Sequence, residues 1–179
     1  MSKTREIVTK AVVGKGKRTF TTTKTIMPKE RPDTILGCWV INHNYEGTRH
    51  QNKINIDGSY DINIWYSSDN DTKTEVIKDT NNYHEEVNAP IVSEDVANEE
   101  VVVRSLKQPT CVRCDIVDGK IEYTIEKELG VEIVGDIKVK ISYDEQEDPW
   151  QVIEESKDEM VEKEIDAQVE ENYLDNKNW

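Results

Sequence analysis

Apolar residues recur at every second position from Ile54 to Tyr66, in the run I-N-I-D-G-S-Y-D-I-N-I-W-Y. Ile54, Ile56, Tyr60, Ile62, Ile64 and Tyr66 share one phase, and Gly58 holds the same phase. Asn55, Asp57, Ser59, Asp61 and Asn63 occupy the other phase. In an extended chain this puts every large apolar group on one face, whereas a helix would scatter them. β-Branched and aromatic residues also suit a pleated surface. The pattern predicts a long, half-buried antiparallel strand, scaffold rather than chemistry, on which the rest of the chain pairs. Trp65 breaks the alternation and makes both faces apolar at that end.

Other segments read as further strands. Ile7, Val8, Ala11, Val12 and Val13 precede Gly14-Lys15-Gly16, and β-branching favours a strand with a glycine bulge. Residues 19–25 read as a second strand, and the Pro28 to Pro32 segment as a loop. Residues 35–41 are continuously apolar, which predicts a central strand covered on both sides. Asn44, Glu46 and Gly47 read as a turn, and so does the cluster at 67–71. A returning strand is expected over 72–78, with a break at Asn81-Asn82 and a loop or edge strand over 83–98. Val101 to Leu106 reads as a strand, and Pro109 as the opening of a new unit. Asp118-Gly119 supplies the positive φ angles of a two-residue turn, so 111–117 and 120–129 predict a hairpin. Ile121, Tyr123 and Ile125 share a face there, Gly130 and Gly135 flank 131–134, and alternation resumes from Ile137 to Tyr143.

Eight or more short strands with no βαβ alternation predict an all-β fold, an antiparallel β-sandwich or barrel-like domain over residues 1–143. Composition changes from Asp144 onward. Trp150, Ile153, Val161 and Ile165 give a thin helical stripe among acidic residues. Residues 144–179 therefore read as an acidic, partly helical or disordered C-terminal tail able to fold on binding.

Charge alters this picture in one respect. The net charge is −14, with 35% hydrophobic and 34% charged residues, so the core is modest. Residues 1–50 carry a net +6 and residues 144–179 a net −11. That polarity argues against a nucleic-acid binder, which needs a dominant basic face, and suits head-to-tail self-association or capture of basic partners. Solubility explains it equally well. No apolar run reaches the roughly 20 residues that span a bilayer, so no membrane insertion is expected. The N-terminus has no signal-peptide h-region, which points to synthesis in a cytoplasm.

The sequence offers little chemistry. Gly14-x-Gly16-Lys17 lacks the spacing of a phosphate loop. Cys111-Val-Arg-Cys114 has zinc-knuckle or redox spacing, and Cys38, His43, His50 and His84 are the remaining thiol and imidazole donors. None forms a second close pair, and positions i and i+3 of a regular strand face opposite ways. Ordinary thiols are the expectation, with intermolecular disulfides of Cys38, Cys111 or Cys114 left open. The histidines read as surface residues. Asp57 and Asp61 lie two apart on the polar face without signs of acid–base work, and the Glu154-Glu155 and Glu170-Glu171 pairs read as solvated charge. No catalytic, metal or cofactor-binding residues are assigned, and no enzyme activity is expected.

Several segments stand out together: R-E-I-V-T-K-A-V-V-G-K-G-K-R at 5–18, I-L-G-C-W-V-I-N-H at 35–43, Y-D-I-N-I-W-Y-S at 60–67 and T-K-T-E-V-I at 72–77. Q-P-T-C at 108–111 and V-G-D-I-K-V-K at 134–140 join them, as does the acidic tail. In this order and spacing they resemble the CotE family of outer spore-coat morphogenetic proteins. Residues 79–107 carry little of the likeness, and Cys114 does not look like a position of that family. The resemblance implies a non-enzymatic homo-oligomer made in the mother-cell cytoplasm. Such a protein would assemble around the forespore in the outer coat and recruit other coat proteins. The alternative is a soluble β-sandwich module binding a carbohydrate or peptide through Trp39, Trp65 and nearby tyrosines, although alternation with core residues predicts that these are buried. A third possibility is a metal or redox protein using Cys111 and Cys114.

Overall fold

The computed structural model describes residues 3–92 and 95–143. The expected tail at 144–179 lies outside the described residues. Six long strands, not eight short ones, make up the described residues: β1 (Lys3–Ile26), β2 (Pro32–His50), β3 (Lys53–Ser68), β4 (Lys73–Asn88), β5 (Ala97–Val117) and β6 (Lys120–Tyr143). They form two antiparallel three-stranded sheets, ordered β1-β6-β5 and β2-β3-β4. The all-β, antiparallel expectation is met. The chain divides into two compact units. Val8–Lys138 holds the core. In the other, Glu6 pairs with Lys140 at 3.7 Å and the Arg5 guanidinium lies 5.2 Å from the Tyr143 ring centre.

The alternating strand is the centre of its sheet. β3 pairs with β2 on one side and β4 on the other. Its predicted inward set, Ile54, Ile56, Tyr60, Ile62, Ile64 and Tyr66, is buried throughout. β6 is the matching centre of the second sheet. There Ile121, Tyr123, Ile125, Leu129, Val131 and Ile133 are buried. One core cluster joins Ile54 and Ile56 to Leu129, Val131 and Ile133, with Val13, Phe20 and Val87. A second joins Tyr60, Ile62, Ile64 and Tyr66 to Ile121, Tyr123 and Ile125. Burial of a side chain of this size stabilises by roughly 1.5–3 kcal/mol, so these two rows supply most of the drive to fold.

Several expected breaks lie inside strands. The turn between β2 and β3 falls at Gln51-Asn52, with Gln51 at φ 57°, and not at Asn44 to Gly47. Asn42 takes φ 55° at a bulge between Ile41 and Asn44, so the turn-forming residue bends β2 without ending it. Residues 5–13 and 19–25 belong to one strand. Asn81-Asn82 lies within β4, which makes 83–88 an edge strand. Pro109 sits inside β5, at a register shift between Lys107 and Thr110. Proline fits there because β5 is an outer strand and the shift removes the need for its missing donor. Gly130 and Gly135 lie within β6. The Asp118-Gly119 turn is as expected, with φ 50° and 74°.

The flanks of the two sheets approach each other. β2 runs beside β5: Arg49 pairs with Glu99, and the Ser105 amide donates to Tyr45 Oη at 3.2 Å. Along the opposite flank the Val92 amide donates to Val13 O at 2.9 Å, next to a bridge between Gly14 and Ile91. Gly16 is required there, because a Cβ would stand 1.9 Å from Asn88 O.

Candidate functional site

Three features stand out, and each follows from strand parity. The first is the outward face of the β2-β3-β4 sheet. Residues 35–41 do not form a central strand covered on both sides. β2 is an outer strand of its sheet, and only Cys38, Val40 and, across a register shift, Ile35 of this run pack against the core. Trp39 is 54% exposed and Trp65 41%, so the expected burial of both tryptophans is overturned. The Trp39 ring lies over Gly37, since a Cβ on that glycine would meet it at 2.2 Å. Gly37 is opposite Trp65, which is opposite Val76 on β4. Leu36, Ile41 and Val76 are also exposed. The result is an apolar, aromatic stripe across three strands, bounded by Asp61, Thr80 and Lys78. Singly scattered apolar residues are normal on a protein surface, whereas these share one face of the sheet.

The second feature is a buried polar layer between the two core clusters. In the inward phase of β3 the side chain is missing at Gly58, and in that of β6 a lysine, Lys127, stands where a hydrophobic residue is expected. The Tyr83 ring fills the space over Gly58, where a Cβ would be 2.3 Å from Tyr83 Cζ. The Lys127 ammonium lies 4.1 Å from that ring's centre and donates to Glu85 Oε1 at 2.9 Å. Lys127 is 1% exposed. His43 joins from β2: Nε2 is 2.7 Å from Tyr83 Oη and Nδ1 is 3.1 Å from Gln108 Oε1. It is therefore half-buried against Tyr45, Tyr60 and Tyr83, not the surface histidine expected. Burial lowers its pKa and the nearby Lys127 charge adds to this, while the Gln108 contact opposes it. Burial also pushes the Tyr60 hydroxyl up, to about 12. A further buried polar group, Asn81, donates to Tyr123 Oη at 3.1 Å and accepts from Lys24. Lys127 was findable in the sequence, since it falls in the phase of Ile125 and Leu129. Asn81, Tyr83 and Glu85 were not, because their strand shows no clear alternation.

The third feature is a thiol cluster. The sulfurs of Cys38, Cys111 and Cys114 all lie within 4.8 Å of one another. The expectation that Cys111 and Cys114 face opposite ways fails for a local reason. Cys111 is opposite Ile125 and Cys114 is opposite Tyr123, with a register shift between Cys111 and Arg113. Two positions on β6 thus match three on β5, and the extra residue restores both thiols to the inward face. Cys38 arrives on the inward phase of β2, opposite Ile64. A hydrogen bond to Cys114, then burial, raises the Cys38 pKa, while the same bond lowers that of Cys114. Burial raises Cys111.

The remaining candidates separate. Lys15 and Lys17 stand on β1 and pair with Glu132 at 3.7 Å and Glu128 at 3.2 Å, so the glycine-lysine segment is strand and not a phosphate loop. Asp61 accepts from Asn42 and Thr80, both at 2.7 Å, and these bonds lower its pKa. Asp57 pairs instead with His84 at 2.6 Å, which raises the His84 pKa. The two carboxylates do not act together. His84 and His50 are exposed. No helix among the described residues is long and apolar enough to cross a membrane.

Comparison with known proteins adds the remaining constraint. No curated protein and no solved structure matches this chain. A family model described as outer spore coat protein E (CotE) matches residues 3–176. That span takes in all six strands and nearly the whole sequence, and on it the chain belongs to the CotE family, a structural family of the outer spore coat.

Proposed function

We propose that this chain is a morphogenetic building block of the outer coat that associates with copies of itself and recruits other coat proteins. It is made in the mother-cell cytoplasm and performs no catalysis. The observation that carries this reading is the exposed stripe of Trp39, Trp65 and Val76 on the outward face of β2-β3-β4. An exposed apolar stripe on a sheet face that ends in outer strands suits repeated contact between copies. The basic first fifty residues and the acidic residues 144–179 add complementary charge between subunits. In this reading residues 1–143 are the folding domain and 144–179 an acidic appendage that captures partners.

The test is sedimentation and negative-stain electron microscopy of the purified full chain beside a Trp39→Ser/Trp65→Ser variant. The full chain should form large assemblies, and the variant should keep its circular dichroism while shifting to small species. A full chain that sediments as a sharp monomer at every concentration overturns the proposal. The exposed tryptophans also favour a second reading, a module that stacks on a carbohydrate or peptide. Saturable changes in the tryptophan fluorescence of a monomeric chain on adding a polysaccharide would select that reading.

A further inference from the structure

We propose that Cys38, Cys111 and Cys114 form a trigonal thiolate site for a soft metal ion, Cu(I) in preference to Zn(II). Three sulfurs reach one point from β2 and from both sides of a bulge in β5, and all are within 4.8 Å of one another. An ion about 2.3 Å from each of three sulfurs in a plane needs sulfur–sulfur distances of about 4.0 Å. Closing the cluster therefore takes movements under about 1 Å. A disulfide would use only two of these thiols and leave the third, whereas an ion engages all three.

The donor set decides which ion fits. Thiolates select soft ions. Zinc in a closed site is four-coordinate and needs a further ligand. Among the described residues no imidazole or carboxylate joins the three sulfurs. The imidazole of His43 is engaged with Tyr83 and Gln108, in the polar layer. The surroundings are apolar, with Ile26, Ile35, Val40 and Ile77 packed on the same core cluster. Cu(I) is satisfied by three sulfurs, and the half-buried thiols leave the ion a path in from solvent. Binding forms three copper–sulfur bonds and releases the thiol protons to solvent. Neither the metal nor sulfur changes oxidation state. Cys111 gives up the contact its thiol makes with Arg113 O at 3.2 Å.

The bulge is what makes this site possible. Without the extra residue at Val112, the spacing of Cys111 and Cys114 would place one sulfur on the outer face. The inference is independent of how the coat assembles.

The experiment uses the full chain, reduced and kept anaerobic, titrated with Cu(I) against a chromophoric Cu(I) chelator. One ion per chain should bind, and reagent-accessible thiols should fall from three to none. X-ray absorption of the unmodified protein should show three sulfur neighbours at about 2.3 Å. Zn(II) should bind more weakly and be displaced by Cu(I). Cys38→Ser and Cys114→Ser should each weaken binding by about 100-fold or more, beyond the loss caused by supporting residues. Copper binding unchanged in Cys38→Ser, a sulfur count of two or fewer in the intact protein, or no uptake by the fully reduced chain would each overturn the proposal.

Discussion

Removing the Glu85 carboxylate should destabilise the fold far more than its position on an outer strand suggests. Lys127 is 1% exposed, and its ammonium is 2.9 Å from Glu85 Oε1. Aromatic faces of Tyr83, Phe20 and Tyr60 lie 4.1, 5.3 and 6.0 Å from it. These rings attract a cation by up to about 2 kcal/mol but do not replace a counter-charge. Breaking a buried pair leaves an uncompensated charge and costs about 3–5 kcal/mol. The Glu85 side chain is 20% exposed, so water reaches the gap and the lower value, about 3 kcal/mol, applies to Glu85→Ala. For a domain of this size that is a fall in Tm of roughly 10 °C. Lys127→Met should lose less, about 1–2 kcal/mol, because it keeps the buried stem and the freed carboxylate can turn to solvent. The double variant Lys127→Met/Glu85→Ala should lie within about 1 kcal/mol of Lys127→Met alone, since without the ammonium no buried charge is left uncompensated. Urea unfolding followed by circular dichroism, at a chain concentration below that of assembly, measures all four corners of this cycle. A coupling energy below about 0.5 kcal/mol, or a Glu85→Ala loss of that size, would refute a buried ion pair at this position.

Two further outcomes concern the same layer. Gly58→Ala should lose roughly 1–3 kcal/mol in urea unfolding, because the new Cβ would stand 2.3 Å from Tyr83 Cζ and 2.8 Å from Asn44 O; a neutral result would mean that Tyr83 does not fill that space. His43 should give the fold an acid-sensitive limb. Its folded pKa lies below the ordinary 6.5, so below that pH the unfolded chain binds more protons. Its contribution is thus intact above about pH 6.5 and declines as pH falls toward the folded value. His43→Gln should have a shallower stability slope between roughly pH 7 and 5, read from urea midpoints. Parallel slopes in the two proteins would rule out a histidine buried as the neutral ring.

Much of the architecture was legible from local pattern. The alternation from Ile54 to Tyr66 marked the central strand of one sheet, and Asp118-Gly119 marked the hairpin that carries the other. Both signals are local, since parity and turn geometry depend on a few neighbouring residues. Turn-forming residues misled where tertiary packing overrode their preference. Asn81 is held in β4 by Tyr123 and Lys24, and Asn42 bends β2 at a bulge. Gly47 and Gly130 sit in strands under the side chains of Val103 and Leu106. The apolar run at 35–41 gave the right element and the wrong environment, because hydrophobicity does not say whether a second face is covered.

The sequence by itself determined the class of fold, the central strand and its buried face, the main hairpin, and the resemblance to a spore-coat family. Tertiary structure alone decided the rest: that Lys127 is enclosed with Glu85, that Trp39 and Trp65 face outward, and that three cysteines meet. The physical reason is the range over which each is set. Periodicity records how one strand divides its residues between two faces. A single unpaired residue at a bulge reverses that division, and what covers either face depends on strands distant in the sequence.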